Sequence, residues 1–109
     1  MANTFKLKTK ANVGVTTVGI YTAPAATTTV VIGITMANTS GSGVNVGVGI
    51  TRAGTTEDVK LLKNAPIPSG SSLEFMSGNK IALEETDTVV VDSDTNNSVD
   101  ASLTIMEIT

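Results

Sequence analysis

Short runs rich in threonine and valine, separated by clusters of Gly, Ser, Asn, Asp and Pro, recur along the whole chain. Both residues are restricted at χ1 and favour extended backbone. The helix-favouring residues Ala, Leu, Glu and Lys never form a sustained helical pattern. Short runs between turn-forming clusters are typical of β-strands. We therefore expect strands over residues 4–9, 15–22, 28–37, 44–51, 59–63, 72–76, 80–83, 88–92 and 99–108.

About nine short strands at this spacing predict an all-β protein, built as an antiparallel β-sandwich of immunoglobulin-like or jelly-roll type. A length of 109 residues fits a single domain, 1–109, in which residues 1–10 form an N-terminal edge strand or an arm. Two prolines exclude the 64–72 segment from a central strand. That segment is predicted to be a crossover or a corner, with Ile67 reaching into the core.

Alternation of polar and apolar residues assigns the faces of several strands. The 44–51 segment alternates strictly and places its valines and isoleucine on one face. The 28–37 segment is apolar on both faces, so we expect it to be central or covered on its outer side. In the 15–22 segment, alternation places Val18 and Ile20 on one face. Other side chains expected to face inward are Leu73, Phe75, Val99, Ala101, Leu103 and Ile105.

The core has to be built almost entirely from aliphatic side chains, because Phe5, Tyr21 and Phe75 are the only aromatic residues. An aliphatic side chain buries less area than an aromatic ring, so the hydrophobic gain per residue is smaller. A thin core of this kind often gains stability from a partner subunit. We therefore expect the chain to form a homo-oligomer.

The absence of cysteine and histidine excludes several kinds of chemistry. The chain has no cysteine, so disulfides and thiolate metal sites are excluded. It has no histidine, the commonest metal ligand and the commonest general base near neutral pH. The N-terminal MANTFKLKTK is not followed by an apolar signal region, and no apolar run approaches membrane-spanning length. We expect no cofactor and no membrane partner.

Charge is distributed unevenly along the chain. No acidic residue precedes Glu57, and the charged residues of the first half are Lys6, Lys8, Lys10 and Arg52. All ten acidic residues lie in the second half, with three lysines. The basic residues are too few, and lack accompanying aromatic residues, for a nucleic-acid surface. Basic-to-acidic contact between copies is the expected use of this asymmetry, with a solvated surface as the alternative.

The polar stretch DSDTNNSVD, residues 92–100, begins like a calcium-binding loop of the EF-hand type. Oxygen-bearing side chains at its ligand positions are Asp92, Asp94, Asn96 and Asp100. The sixth position needs glycine and is Asn97, and the twelfth needs a bidentate glutamate and is Leu103. Asn and Asp also suit tight turns. We predict a hairpin between two strands here and assign no metal ligands, although a calcium site of another type stays open.

Glycines alternate with apolar residues in GVNVGVGI, but the pattern does not match a dinucleotide-binding fingerprint. Gly47 and Gly49 leave one strand face almost bare, so another backbone can approach closely. The approaching backbone belongs either to another subunit or to the same domain, and the sequence leaves both open.

No catalytic set is visible in the sequence. Serines occur in GSG and SGSS, but no histidine is available as a base and no G-x-S-x-G elbow is present. Glu84, Glu85 and Asp87 could mimic the carboxylate pair of a glycosidase. Neighbouring acids in a turn point in different directions, however. We therefore expect the protein not to be an enzyme and assign no catalytic residues.

The N-terminal FKLKTK alternates, with Phe5 and Leu7 on one face and Lys6 and Lys8 on the other. This pattern is typical of an amphipathic strand. Lysines also protect an edge strand from uncontrolled pairing, so we expect a sheet edge here. An exchange of this strand onto a neighbouring copy is the alternative.

Five segments share a pattern of a threonine-rich strand, an Asn-Thr loop, an I-P-x-G corner and an L-E-x-x-D turn. They are FKLKTKANVG, YTAPAATTTVVIGITMANTS, APIPSGSSLEF, KIALEETDTVVV and SLTIMEIT. This pattern covers nearly the whole chain and resembles small virion structural proteins of tailed bacteriophages, of the marine and cyanobacterial type. No motif in it is catalytic, so the resemblance implies no functional residues.

The resemblance implies a structural role on a virion that is assembled in the host cytoplasm. The leading expectation is a capsid decoration or cement protein, bound as an oligomer to the major capsid protein. A collar, tail or fibre-tip component, with tail or neck proteins as partners, is the alternative. A glycan-binding β-sandwich is an alternative of another class, but such sites usually present aromatic platforms, and Tyr21 is the only polar aromatic residue.

Overall fold

The structure is a computed structural model that describes residues 3–52, 58–75 and 80–108. All the elements in these ranges are strands, as their β-forming sequences predict. None of the described residues forms a helix that could cross a membrane. The strands are β1 (Asn3–Val13), β2 (Val18–Thr22), β3 (Thr28–Asn38), β4 (Val44–Thr51), β5 (Asp58–Ile67), β6 (Ser72–Phe75), β7 (Ile81–Leu83), β8 (Thr88–Ser93) and β9 (Val99–Ile108).

The described strands form two antiparallel sheets packed as a sandwich. The first sheet has the order β1-β9-β3-β6, and β7 also pairs with β3. Because β6 and β7 pair with successive stretches of β3, they share one edge position of this sheet. The second sheet has the order β2-β8-β4-β5. Two sheets of four strand positions in this order form a jelly roll. The prediction of a β-sandwich is confirmed. Of the two predicted types, immunoglobulin-like and jelly-roll, the strand order matches the jelly roll.

Most connections between consecutive described strands pass from one sheet to the other. Only the β4–β5 and β6–β7 connections stay within a sheet. The polar 92–100 segment joins β8 in the second sheet to β9 in the first, and these two strands are not paired. The prediction of a hairpin there is therefore wrong. The segment is an arch between sheets, because β8 lies between β2 and β4 while β9 lies between β1 and β3.

The core lies between the two sheets and is aliphatic. The inward residues of β4 are buried as its strict alternation predicts, and β9 alternates in the same way. Leu73 is partly buried against this core, while the side chain of Phe75 lies outside the described residues. The largest fully buried apolar side chains are Val13, Ile34, Met36, Val46, Val48, Ile67, Leu83, Val91, Val99, Leu103 and Ile105.

Irregular pairing changes which residues face the core in two strands. In β2, the register with β8 shifts between Gly19 and Tyr21, so Ile20 is an extra residue and Tyr21 turns into the core. Val18 and Ile20 both pack against the core, as the alternation of the 15–22 segment predicts, but the extra residue adds Tyr21 to the core side and leaves Thr22 exposed. In β3, a similar shift at Ile32 lets Val31 and Ile34 both point inward. The central position predicted for the 28–37 segment is confirmed by the pairing of β3 on both sides.

β5 is longer than the sequence predicts. It runs through Pro66, which is paired with Asn45 of β4. An edge strand tolerates proline because its outward side needs no ladder hydrogen bond, and β5 lies at the edge of the second sheet. Residues 64–67 thus belong to a strand instead of a crossover. Ile67 is buried as expected.

β1 is an edge strand of the first sheet. Unlike an ordinary amphipathic strand, it turns its charged face toward the core side and its apolar face toward solvent. Its register with β9 is unbroken from Asn3 to Lys10. Directly paired residues point to the same side of a sheet. Lys6 is paired with the buried Ile105, so the lysines lie on the core side, and Phe5 and Leu7 lie on the outer side. The predicted alternation is confirmed, but Phe5 and Leu7 are 69% and 65% exposed.

Candidate functional site

The acidic side chains of the 92–100 arch are directed to different partners. Each carboxylate accepts a hydrogen bond from another part of the chain: Asp92 from the Thr17 hydroxyl at 3.0 Å, Asp94 from the Asn45 N–H at 3.1 Å, and Asp100 from the Asn12 N–H at 3.0 Å. Within the described part of the chain, no group of three acidic side chains could hold a metal ion. The geometry therefore gives the arch a structural use, in which its carboxylates fasten neighbouring strands.

Buried serines hold the arch closed from inside. The Ser98 hydroxyl donates to the Thr95 carbonyl at 2.6 Å and accepts from the Ser93 hydroxyl at 2.7 Å. The Ser98 N–H donates to the Val13 carbonyl of β1 at 3.1 Å. Asn97 has φ of 53°, a left-handed conformation that asparagine tolerates. These contacts explain the density of small polar residues in this segment.

The two glycines of β4 are needed by neighbouring strands of the same sheet. A Cβ atom on Gly49 would lie 2.8 Å from the Val59 carbonyl oxygen of β5. One on Gly47 would lie 2.6 Å from Asp92 Oδ1 and 3.3 Å from the Leu62 carbonyl oxygen. Of the two readings that the sequence leaves open, the structure supports close packing within the chain.

The acidic residues of the 84–87 turn are bound by other groups of the chain, although Glu84 and Asp87 both line one surface pocket beside Arg52. Arg52 Nε donates to Asp87 Oδ1 at 3.0 Å, and Arg52 Nη2 donates to Glu84 Oε1 at 2.5 Å. Glu85 accepts instead from the Ala26 N–H at 2.7 Å. Glu84 and Asp87 therefore connect the turn to Arg52, which follows β4. Glu85 connects it to Ala26, which lies between β2 and β3. These carboxylates do not form the opposed pair of a glycosidase.

A buried polar cluster joins both sheets near the open β1 edge. The Tyr21 hydroxyl donates to Glu107 Oε2 at 2.6 Å and accepts from the Thr29 hydroxyl at 2.8 Å. Lys6 Nζ lies 2.9 Å from Glu107 Oε1. The cluster therefore connects β1, β2, β3 and β9. Because its ring and hydroxyl are both engaged in the interior, Tyr21 is not placed as a stacking platform for a glycan.

The ionisation of this cluster is shifted in two directions. Burial, together with the hydrogen bond to Glu107, raises the pKa of Tyr21 to about 12. The hydrogen bond from Tyr21 lowers the pKa of Glu107, and the hydrogen bond from Lys6 lowers it further. At neutral pH the tyrosine is therefore protonated and the carboxylate is charged. This arrangement keeps the hydrogen bonds of the cluster in place. It also keeps the Tyr21 hydroxyl protonated at neutral pH, so it cannot accept a proton as a general base.

The charge asymmetry of the sequence is used inside the chain. Lys6 pairs with Glu107 because β1 lies beside β9, and Arg52 pairs with Glu84 and Asp87 because the end of β4 lies beside the 84–87 turn. Residues from the basic first half thus meet acids from the second half within one molecule. Charge contact between copies remains a prediction.

A set of outward apolar side chains on the first sheet was not foreseen from the sequence. We call this set the apolar face. Its signal in the sequence is the run LTIMEI, which has apolar residues on both faces of a strand. The outer of these two faces is identified only when β9 is paired with β1 and β3. The residues of the apolar face are Phe5, Leu7, Val30, Ala82, Met106 and Ile108.

Comparison with known proteins supports the fold but no family. No protein-family model matches the chain. No curated protein matches it either.

Two solved structures of low sequence identity are similar to this chain. One is from Bacillus endospore appendages, which form a family of disulfide-linked pili, with 15% identity, a TM-score of 0.55, and coverage of 97% of this chain and 84% of that chain. The other is from the T13 IBDV viral particle, with 13% identity, a TM-score of 0.59, and coverage of 96% of this chain and 30% of that chain. This chain therefore spans less than a third of that viral protein. Both likenesses concern the β-sandwich fold.

Proposed function

We propose that this chain is a non-enzymatic structural subunit of a tailed-phage virion, with capsid decoration as its role. The observation that carries the proposal is the exposed edge strand β1. Phe5 and Leu7 stand in solvent there, on a strand whose outer edge has no partner among the described residues. An unpaired strand edge can pair with another chain, an association that the lysines of β1 restrict, and the exposed apolar side chains add a surface that a neighbour can cover. A subunit whose exposed apolar residues are covered by neighbouring subunits in an assembly accounts for such a surface.

The two fold neighbours support a role in assembly. Both belong to assemblies, one a pilus and the other a viral particle. Fold alone does not imply function, so this support is one of analogy. This chain has no cysteine, so its contacts with other copies would not be disulfide-linked, unlike those of disulfide-linked pili.

A decoration protein would act by burying surface across junctions between capsid subunits. Because such a subunit binds the assembled shell, it stabilises that shell by linkage. The partners would be the major capsid protein and other copies of this chain. A collar, tail or fibre-tip component would use the same kind of surface at fewer sites.

Copy number tests this proposal. Quantitative mass spectrometry of virions purified from the source of the chain is expected to find on the order of hundreds of copies per particle, as symmetric shells require. A number in the tens or below would move the protein to the collar or tail. Its absence from the particles would overturn the proposal.

The alternatives of other classes have less support in the structure. The acidic residues that could imitate a glycosidase pair are bound to Arg52 and Ala26. Tyr21, the only polar aromatic residue, is buried. Binding on a glycan array that disappears on calcium chelation, and also in Asp92→Ala, would favour the glycan-binding module instead.

A further inference from the structure

We propose that the apolar face packs against the apolar face of a second copy of this chain, around a two-fold axis. The inference deepens the proposed function, on which it rests, because it names the surface through which copies associate. An isologous contact of this kind uses the same patch on both subunits.

The apolar face contains a straight row that crosses all four strand positions of the first sheet. In the register, Phe5 is paired with Met106, Met106 with Val30, and Val30 with Ala82. Paired residues share a side of the sheet, so these four side chains lie next to one another on the outer surface. Aromatic residues and methionine are enriched in the centres of protein interfaces. The row contains one residue of each kind, Phe5 and Met106.

Neighbouring rows widen the patch. One row places Ile108 between Asn3 and Thr28, and the other places Thr104 between Leu7 and Gly33. Neither row contains a charged residue. The apolar row is therefore flanked on both sides by apolar and small uncharged residues, so a partner can cover it without removing a charge from water.

Charged side chains of these strands point to the other side or lie at the border. Lys6 and Glu107 face the core side of the sheet, where they pair with each other. On the outer side, Glu74 is paired with Thr35 and Asp100 with Ala37, beyond the apolar rows. A net charge of −3 makes copies repel weakly, but none of the paired residues of the apolar face is charged.

A second copy fits this surface better than an unrelated globular partner. Sheets twist with a fixed hand, and two sheets with the same twist pack face to face at about 30°. The apolar face of another copy meets that condition automatically. We place the two-fold axis perpendicular to the strands, because it then sets the Asp100 end of one copy beyond the Thr28 end of the other and keeps the border carboxylates apart.

The area of the patch sets the strength of the contact. Four strands about 4.8 Å apart and about seven residues of about 3.3 Å each give roughly 400 Å². A stable pair of proteins usually buries about 800 Å² per partner. The isolated pair should therefore be weak, and repeated copies held on a particle would strengthen it through effective concentration.

Sedimentation velocity over a concentration series tests the contact with matched variants. Phe5→Lys and Leu7→Lys place a charge on the apolar face at positions where the side chain is already exposed. Val15→Lys is the control, because Val15 is also apolar and 56% exposed but lies outside that face. We expect wild type and Val15→Lys to dimerise with the same midpoint, and the two face variants to need at least about tenfold higher concentration, as a buried charge requires.

Cross-linking locates the contact directly, since the chain has no native cysteine. Thr104→Cys introduces a thiol at an exposed position beside Leu7 of the apolar face, and Val15→Cys introduces one elsewhere. A short bifunctional maleimide is expected to link Thr104→Cys copies into dimers and to leave Val15→Cys monomeric.

The possible results separate this inference from the proposed function. If the chain dimerises but Phe5→Lys and Leu7→Lys dimerise equally well, the apolar face is not the contact and the inference is wrong. If wild type stays monomeric at all concentrations reached, the inference is also wrong. In both cases the structural role in the virion is decided independently by the copy number in purified particles.

Discussion

Glu107 keeps its charge inside a largely aliphatic sandwich because a separate donor binds each of its two oxygens. The Tyr21 hydroxyl binds one oxygen and the Lys6 ammonium binds the other. Charge-assisted hydrogen bonds of this kind are roughly twice as strong as neutral ones. The lysines on the core side of β1 therefore have a use that their place in an edge strand did not suggest.

Tyr21 offers a direct spectroscopic check of this cluster, since it is the only tyrosine and the chain has no tryptophan. Burial raises its pKa to about 12. In the folded chain, absorbance of tyrosinate at alkaline pH should therefore rise with a midpoint near 12. In denaturant the midpoint should return to about 10. A midpoint near 10 while circular dichroism still shows folded protein would contradict the buried hydrogen bond.

Glu107 should govern part of the stability at acid pH. Its pKa is lowered in the folded chain, so the folded state binds fewer protons than the unfolded state near the ordinary glutamate range. The stabilisation is complete above that range and is lost as pH falls through the lowered pKa. Glu107→Gln should thus reduce the unfolding free energy by about 1–3 kcal/mol at neutral pH, with a flatter loss of stability as the pH falls below the ordinary glutamate range.

Urea denaturation at a series of pH values measures this difference. Glu74→Gln is the control, because Glu74 is exposed in an edge strand. It should leave the profile close to that of wild type. Parallel profiles for wild type and Glu107→Gln would show that the carboxylate is not specially stabilised.

At the level of elements, the sequence predicts strands well and their partners poorly. Alternation in the 44–51 segment correctly predicts its inward face, because every second residue points to the same side of a strand. The arch at 92–100 was mistaken for a hairpin, since polar turn residues mark a reversal but do not say which sheet the next strand joins.

Insertions in the register also escape sequence patterns. The extra residue Ile20 turns Tyr21 into the core, and no local signal marks that change. The apolar face was missed for a similar reason. Whether Phe5 lies inside or outside depends on its pairing with Met106, which is 101 positions away by residue number, and not on its immediate neighbours.

Gly49→Ala tests the close approach of β5 to β4. The new Cβ would lie 2.8 Å from the Val59 carbonyl oxygen, so the backbone of one strand would have to move. We expect a loss of about 1–3 kcal/mol in unfolding free energy. Gly33→Ala is the matched control, because a Cβ there has no neighbour within 4 Å. Equal stability of the two variants, measured by chemical denaturation, would rule out the tight contact.

At the level of the whole molecule, β1 contributes little to the core, which β3, β4, β8 and β9 supply for the most part. Val13 is the only residue of β1 that is buried. The other strand positions of both sheets contribute most of the aliphatic interior. β1 therefore covers an edge of the sheet more than it fills the core, in agreement with a surface used for contact.

Deletion of residues 1–10 tests this view. The shortened chain should still unfold cooperatively, with its free energy of unfolding lowered by about 1–3 kcal/mol, because it loses strand hydrogen bonds and the Lys6 partner of Glu107. Thermal unfolding followed by circular dichroism measures the change. A broad transition without cooperativity would mean that β1 is part of the core unit.

The positions of β8 and β9 have a consequence for biosynthesis. These two consecutive strands, joined by the 92–100 arch, are inserted as inner strands of both sheets, β8 between β2 and β4 and β9 between β1 and β3. A ribosome must therefore release residues 88–108 before either sheet can close. Until then, the apolar edges of β3 and β4 lack their partners, and unpaired edges are prone to aggregation. The nascent chain is thus most vulnerable just before its last strands emerge.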